Sequence, residues 1–264
     1  MSLEEQIKSH LISGMKKVMP EFETDGIHSW VLKNKEENFI TSPPLPSDFK
    51  FHRWAASLKS SQAFAYNIFS SVKNVDFEVP MQVIDKPAEM DVIVKDTDKL
   101  HLYEVKFAEI AENDKIDFKE AYFDVNNYVL SNKHIADKYK TFIENVINHF
   151  ENKKIYGTGI KQLCSHLLGI LTELNGDFAD AKKIKLYSLC FDYEISPDFK
   201  DCVENYKNVL TEFKPMVDNF LREANLQDRV EYYGFLPATE YIEENKVLIG
   251  EANYNYVKQR YFCG

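Results

Sequence analysis

Apolar residues recur at helical spacing in two segments near the start of the chain. In residues 3–18, Ile7, Leu11 and Met15 lie four positions apart, which predicts an amphipathic helix that ends before Pro20. Gln62 lies beside the apolar stripe of a second segment, so we expect it to face the protein interior. This second helix is predicted over 54–72, and its apolar positions are Trp54, Leu58, Ala65, Ile68, Phe69 and Val72.

Three short segments rich in β-branched and aromatic residues follow, and each is typical of a β-strand. They cover residues 77–84, 89–94 and 100–107, and the sequence Asp96-Thr97-Asp98-Lys99 predicts a turn between the last two. Further along, the pattern predicts helices over 160–171 and 198–225, strands over 184–193 and 230–235, and a short C-terminal helix.

The order of helix, three strands, helix and strand predicts an α/β fold of the mixed α+β kind, with a central mixed sheet flanked by helices. No Gly/Ser/Pro-rich linker and no internal repeat divide the chain, so we expect one elaborated domain over residues 1–264. Its core is expected at 52–108 and 157–193, with a polar helical insertion at 109–156 and a C-terminal extension at 194–264.

The chain carries a net charge of −10, and 44% of its 264 residues are hydrophobic. The hydrophobic content supports a sizeable core and excludes a disordered, collagen-like or coiled-coil chain. The acidity argues against a nucleic-acid partner, because phosphates usually meet a basic surface. The excess acid is concentrated toward the C-terminus, however, and salt screens exposed charges beyond about 8–10 Å, so a local positive cleft is compatible with it.

The start of the chain has no apolar run typical of a secretory signal, and no later stretch is long enough to cross a membrane. We therefore expect a cytoplasmic protein with no membrane partner. The cysteines form no Cys-x-x-Cys pair, so neither a disulfide framework nor a zinc knuckle is predicted. They are Cys164, Cys190, Cys202 and Cys263.

The predicted hairpin brings two acidic residues face to face. A turn centred between Thr97 and Asp98 pairs residues whose numbers add to 195, so Asp91 faces Glu104. The same register places Glu89 opposite Lys106, on the same face of the sheet. The alternatives stay open: these spacings also occur by chance on solvated hairpins with a Glu89–Lys106 surface pair, and a slip of one residue would send Asp91 and Glu104 to opposite faces.

Opposed carboxylates cost roughly 0.2–1 kcal/mol on a surface and more when they are desolvated, so stability gives no reason for this pair. A divalent cation bound between the two carboxylates makes their proximity favourable, because hard cations such as Mg²⁺ prefer carboxylate oxygens. Lys106 would project from the same face, where it could orient a metal-bound water or help to deprotonate it. These groups together suit phosphodiester hydrolysis.

The spacing of Asp91 from Glu104-Val105-Lys106, between a preceding helix and a following helix and strand, resembles the PD-(D/E)XK nuclease superfamily. The segment 57–67 and the run from Glu104 to Glu109 look like its branch of bacterial restriction-endonuclease-like proteins, and the resemblance covers about residues 52–193. It implies a restriction-endonuclease-like αβββαβ core and DNA cleavage that depends on Mg²⁺ or Mn²⁺.

The resemblance also implies roles for single residues. Asp91 and Glu104 would be metal ligands, the Val105 carbonyl a further ligand, and Lys106 would lie at the nucleophilic water. Many members carry an acidic residue on the first helix, where this chain has Gln62, so binding of metal or water at that position would be weak.

Several other residues are candidates with two interpretations each. Gln162 and His166, one helical turn apart, are similar to the QxxxY element of exonuclease-type members, or they are polar residues at the edge of a packed helix. Glu109 is a supporting carboxylate or a helix cap. A set of basic residues either meets phosphates or lies on solvated faces; it comprises His52, Arg53, Lys59, Lys182, Lys183 and Lys185. A set of tyrosines either stacks on unpaired bases or belongs to the core; it comprises Tyr232, Tyr233, Tyr254, Tyr256 and Tyr261.

The expected function is therefore that of a metal-dependent nuclease acting on DNA, with a homodimer as a useful arrangement for cutting both strands. A catalytically inactive nuclease-fold module that binds nucleic acid or protein is the second hypothesis, favoured by the net charge and by Gln62. Enzymes acting on RNA, nucleotides or other small phosphates form a third class that the sequence leaves open.

Overall fold

A computed structural model of the chain describes residues 1–111, 113–114, 118–151, 153, 155–156 and 159–262. Cys263 and parts of the predicted insertion 109–156 lie outside the described residues. The helices are α1 (Leu3–Val18), α2 (Ser61–Phe69), α3 (Lys133–Phe150), α4 (Gly159–Glu173), α5 (Pro197–Glu223), α6 (Ala238–Glu244), α7 (Lys246–Ile249) and α8 (Glu251–Tyr261). Short 3-10 helices cover Lys35–Asn38, Ala108–Ala111, Glu120–Phe123 and Val125–Asn127.

The strands form one mixed sheet of five strands and one small ladder. The large sheet has the order β1 (Val75–Met81), β2 (Ala88–Asp96), β3 (Lys99–Lys106), β6 (Lys183–Cys190) and β7 (Val230–Pro237). The first three strands are antiparallel neighbours, and β6 and β7 run parallel to β3. The small ladder pairs β4 (Asn113–Asp114) with β5 (Ile155–Tyr156). The predicted mixed sheet with flanking helices is confirmed.

Alternation along β3 sends neighbouring side chains to opposite faces of the sheet, and a helix covers each face. On one face the ring of Phe64 from α2 stacks on Phe107, with centroids 4.6 Å apart. On the other face α4 packs so closely that a Cβ added at Gly169 would lie 2.7 Å from the Met81 side chain. Helix α4 therefore faces the even-numbered residues of β3, which include Glu104 and Lys106.

The second predicted helix starts later than the apolar pattern suggested. Residues 54–60 form turns, and α2 begins only at Ser61, because the Ser60 side chain accepts a hydrogen bond from Ala63 N and caps the helix. Trp54, predicted on the apolar face, is instead 62% exposed. The C-terminal segment likewise differs from the prediction, since α6, α7 and α8 replace a single short helix.

The helix of the predicted insertion, α3, packs against α5 of the C-terminal extension. The ring of Phe142 stacks on that of Phe220, with centroids 5.1 Å apart, and Asn132 caps the N-terminus of α3 by accepting a hydrogen bond from Ile135 N. Among the described residues, none of the helices is both long enough and apolar enough to span a membrane.

Candidate active site

The hairpin of β2 and β3 has the predicted register. Its ladder runs from Asp96↔Lys99 to Val92↔Tyr103, and each pair adds to the same sum. The next pair in this register is Asp91 opposite Glu104. At this position a side-chain hydrogen bond follows the backbone ladder: Val105 N donates a hydrogen bond of 2.6 Å to Asp91 Oδ2.

A third carboxylate, which the sequence analysis missed, extends this row. Pairing of Phe77 with Val92 and of Val79 with Met90 places Glu78 of β1 opposite Asp91. Glu78 has a positive φ of 51°, a left-handed backbone conformation that is costly for a residue with a side chain. Acidic side chains of three adjacent strands therefore meet at one level of the sheet. The hairpin rule could not find Glu78, because the connection between β1 and β2 is too long to set a register from turn residues.

Glu104 is 1% exposed and has two basic neighbours. Lys106 Nζ lies 2.7 Å from Glu104 Oε1, and His166 Nε2 lies 2.5 Å from Glu104 Oε2. Burial alone would raise the pKa of Glu104, but the charges of Lys106 and His166, with the hydrogen bond to His166, outweigh it and lower the pKa to about 2. Glu104 is therefore a carboxylate at neutral pH. Its Oε1 accepts no well-aligned hydrogen bond, so its contact with Lys106 is that of an ion pair.

Asp91 is held differently from Glu104. It keeps part of its surface open to solvent, but the surrounding protein removes much of its hydration and raises its pKa well above the usual value. The negative charges of Glu104 and Glu78 raise this pKa further, and they outweigh Lys106 and the hydrogen bond from Val105 N. The row therefore contains repulsion between carboxylates that its basic neighbours do not cancel.

Lys106 lies between the strands and α4. It is 3% exposed, and its Nζ donates a hydrogen bond of 2.5 Å to Gln162 Oε1. Burial opposes the charged form, but Glu104, Glu109 and Asp91 raise the pKa of Lys106, so the side chain is an ammonium. The predicted pairing with Glu89 does not form, because the ladder ends at Val92↔Tyr103 and the ammonium turns toward Glu104 and Gln162.

Helix α4 supplies both of the polar residues predicted from its spacing. Gln162 contacts Lys106 and His166 contacts Glu104, so the pair at positions i and i+4 reaches two neighbouring charges on β3. Glu109 accepts a hydrogen bond of 3.1 Å from Phe107 N, and burial raises its pKa despite the nearby Lys106. Glu109 thus lies close to the ammonium and also braces the end of β3.

These side chains open onto two adjoining clefts. The larger has a volume of about 550 Å³, and its lining includes Asp91, Glu104, Val105, Lys106 and Gln162. The smaller, of about 380 Å³, shares Asp91 and Gln162 with it. The predicted catalytic residues, with the exception of Gln62, therefore meet in one solvent-accessible space.

Gln62 has a different place from the one predicted. It is 4% exposed, its Oε1 accepts a hydrogen bond of 3.0 Å from His52 N, and its Nε2 donates one of 2.8 Å to Lys50 O. It is not among the residues that line either cleft. The expectation that Gln62 lies beside the apolar stripe is confirmed, and the reason is that it braces the loop before α2.

That loop brings a histidine to the acidic row. His52 Nε2 lies 2.7 Å from Glu78 Oε2, and this interaction with Glu78 raises the pKa of His52 against the opposing effect of burial. Ligand atoms of His52, Glu78 and Glu89 lie within 4.8 Å of one another. His52 was a candidate from the sequence, but its proximity to Glu89 depends on the position of Glu78.

The remaining candidates fall into two groups. Arg53 and Lys59 lie close to the clefts, and Lys59 lines the larger one. The basic residues Lys182, Lys183 and Lys185, at the start of β6, lie at the opposite end of the sheet, where Lys182 pairs with Asp98 at 3.1 Å. None of the C-terminal tyrosines lines either cleft: Tyr232 and Tyr261 are buried, Tyr254 and Tyr256 are partly buried, and Tyr233 is exposed.

Comparisons of the chain with protein-family models, with curated proteins and with solved structures found no match.

Proposed function

We propose that this protein is a divalent-metal-dependent phosphodiester hydrolase that acts on DNA, similar to the restriction-endonuclease-like branch of the PD-(D/E)XK superfamily. One observation carries the proposal: Asp91 and Glu104 from adjacent strands lie opposite each other beside the Lys106 ammonium, and all three line one cleft. The charge of Glu104 raises the pKa of Asp91, and a cation bound between the two carboxylates would relieve this repulsion.

The residues fit a hard divalent cation. The Asp91 and Glu104 carboxylates and the Val105 carbonyl would hold it, and all are oxygen donors of the kind that Mg²⁺ and Mn²⁺ prefer. Glu104 Oε1 is a buried oxygen that makes an ion pair with the Lys106 ammonium at 2.7 Å but accepts no well-aligned hydrogen bond. When bound, such a cation supplies Lewis-acid polarisation of the phosphate and lowers the pKa of a bound water.

The protein's own side chains define the rest of the mechanism. Lys106 is an ammonium, so we assign it to orienting the attacking water and to stabilising the negative charge on the phosphate, rather than to accepting a proton. Gln162 Oε1 accepts from Lys106 Nζ and fixes its direction. The His166 ring holds Glu104 in place from the side of α4.

A second function is favoured by a specific observation. Glu104 already has Lys106 and His166 as neighbours, so the charge of this carboxylate is compensated without a metal ion. Such a site is compatible with an inactive module that has kept the fold and binds nucleic acid or protein. We favour the hydrolase because the charges of Glu104 and Glu78 raise the pKa of Asp91 against the opposing effect of Lys106.

Cleavage assays with plasmid DNA and oligonucleotides in Mg²⁺ or Mn²⁺ test the proposal. We expect cleavage by the wild type and a loss of at least about 100-fold in Asp91→Ala, because several kcal/mol of transition-state stabilisation are removed. Asp96→Ala is the matched control, since Asp96 is an exposed carboxylate at the other end of β2. RNA and nucleoside triphosphates in the same assay separate DNA from the other phosphate substrates.

Cleavage at equal rates by the wild type and Asp91→Ala would contradict the proposal. Titration calorimetry that finds DNA binding without binding of Mg²⁺ or Mn²⁺ would instead support the inactive module. The predicted homodimer stays a prediction, which light scattering of the same samples would check.

A further inference from the structure

Both tryptophans of the chain lie at the larger cleft. The sequence contains two tryptophans, and Trp30 and Trp54 line the same space as Asp91, Glu104 and Lys106. Trp54 is 62% exposed, although an indole gains more from burial than almost any other side chain. An exposed indole at the mouth of a polar cleft is therefore a candidate contact for a flat ligand.

Basic side chains accompany both indoles. The Arg53 guanidinium lies 4.9 Å from the ring centroid of Trp54, and the Lys59 and Lys8 ammonium groups lie 5.0 Å and 4.6 Å from that of Trp30. Aromatic faces combined with cations are the groups by which proteins bind single-stranded nucleic acids, because bases stack and phosphates meet the positive charge. The Lys8 and Lys59 ammonium groups also lie 2.8 Å and 3.9 Å from the Glu4 carboxylate, which compensates part of their charge.

The backbone holds the Trp54 segment in a defined shape. Ala55 N donates to His52 O at 3.0 Å, and Ser57 N donates to Trp54 O at 2.9 Å. Gln62 braces the preceding residues through its bonds to Lys50 O and His52 N. The indole is thus presented on a turn with its own hydrogen bonds, which lowers the entropy cost of stacking a ligand on it.

The size of the cleft limits the form of the substrate. A volume of about 550 Å³ is that of a small-molecule pocket, which encloses about one or two nucleotide units of a strand. A base that enters it must already be unpaired or must leave the base stack.

We propose that the cleft binds a single polynucleotide strand, with an unpaired base stacked on the Trp54 indole and with Arg53 and Lys59 contacting its phosphates. The proposal rests on the proposed function for the choice of a polynucleotide, and it adds the substrate class. The protein prefers single strands, frayed ends or flipped bases to an intact duplex.

Intrinsic fluorescence in EDTA tests this without cleavage. A short mixed-sequence DNA oligonucleotide is titrated as a single strand and as a blunt duplex, and Trp30→Phe isolates the signal of Trp54. We expect the single strand to quench Trp54 and to bind more tightly than the duplex. Trp54→Leu should bind the single strand roughly five- to 150-fold more weakly, the range for one lost base–aromatic stack, and Trp54→Tyr should recover part of the affinity.

Tyr233→Leu is the matched control, because Tyr233 is an exposed aromatic residue on β7 that lies outside the cleft. The affinity of this variant for the single strand should equal that of the wild type. Circular dichroism confirms that each variant is folded. Equal affinity of Trp54→Leu and the wild type for the single strand, or equal or tighter binding of the duplex, overturns the proposal.

The two proposals fail in distinguishable ways. Binding of single strands with quenching but no cleavage in Mg²⁺ or Mn²⁺ rejects the hydrolase and keeps the Trp54 contact. Cleavage of single strands and duplex with the same KM in the wild type and Trp54→Leu rejects the Trp54 contact and keeps the hydrolase.

Discussion

Two clusters of buried polar side chains in this protein are organised in opposite ways. The first joins α8 to α2 and to the loop around Asn38. Arg260 is 2% exposed and donates hydrogen bonds to Asn38 O at 2.7 Å, to Tyr256 Oη at 2.6 Å and to Asn38 Oδ1. Asn253 Nδ2 donates to Asn67 O at 3.1 Å, and Asn67 Nδ2 donates to Asn38 O at the same distance. In this cluster donors meet acceptors.

The second cluster is the row of acidic residues across β1, β2 and β3. Glu104 has partners of opposite charge, but it also lies beside Asp91, and the charges of Glu104 and Glu78 raise the pKa of Asp91. The second cluster is also less buried than the first, because Asp91 and Glu78 keep part of their surface open to solvent. A polar cluster in which donors are matched with acceptors stabilises one specific packing arrangement. Like charges that are not compensated lower the stability of the fold, so their presence is explained by ligand binding or catalysis.

Replacing the central cation of the first cluster should have the largest effect on stability. Arg260→Met keeps much of the side-chain volume but leaves buried oxygens of Asn38 short of donors, so we expect a loss of about 2–4 kcal/mol in the free energy of unfolding. Urea denaturation measures it. Arg222→Met, at an exposed arginine of α5, is the control, and a loss no larger than in this control would refute a structural role for the first cluster.

Gln62→Leu should have the next largest effect, and it should act on stability rather than on the chemical step. The substitution leaves Lys50 O and His52 N without their present partner, which costs about 1–3 kcal/mol. Denaturation and cleavage are measured together, with Gln259→Leu on the exposed side of α8 as the control. A folded Gln62→Leu protein with a kcat as low as that of Asp91→Ala would restore the catalytic role predicted for Gln62.

Asp91→Asn should stabilise the protein in EDTA. The pKa of Asp91 is raised in the folded state, so the folded protein binds this proton more tightly than the unfolded chain, whose value is about 3.9. The resulting penalty grows as the pH rises from about 4 through the raised pKa, and it is complete above that pKa. The asparagine removes the penalty and can still accept from Val105 N, and each 1 kcal/mol gained raises the Tm by about 2–4 °C.

Thermal unfolding over a pH series in EDTA checks this result. The gain should be present at neutral pH and should fade as the pH falls toward about 4. Asp96→Asn is the control on the same strand and should shift little. A lower Tm for Asp91→Asn at neutral pH would mean that the row is stabilising as it stands, and the contrast between the two clusters would be lost.

The smallest effect concerns the pair of His52 and Glu78. The pKa of His52 is raised by its interaction with Glu78, so the stabilisation is fully present below the unfolded value of about 6.5 and is lost as the pH rises through the folded pKa. Because the His52 side chain is 46% exposed, the contribution should stay below about 1 kcal/mol. The Tm difference between the wild type and His52→Gln should therefore shrink from acid to alkaline pH, and His134→Gln, at an exposed histidine of α3, is the control.

Short-range patterns along the chain were enough for the element order and for one half of the candidate site. Turn residues around Thr97 join β2 to β3 directly, so counting outward from them gives the register and the position of Asp91 opposite Glu104. The helical spacing of Gln162 and His166 similarly places both on one side of α4. Such features depend on hydrogen bonds and alternation among residues that are close in sequence.

The third carboxylate and the exposed indole depended on contacts between distant segments. Glu78 joins the row through the pairing of β1 with β2 across a long connection, and through a left-handed backbone conformation that no propensity predicts. Trp54 fits a helical apolar pattern, but the cap at Ser60 starts α2 after it and leaves the indole at the cleft. Periodicity records which residues can share a face; which face is covered, and by what, is set only when separate elements pack together.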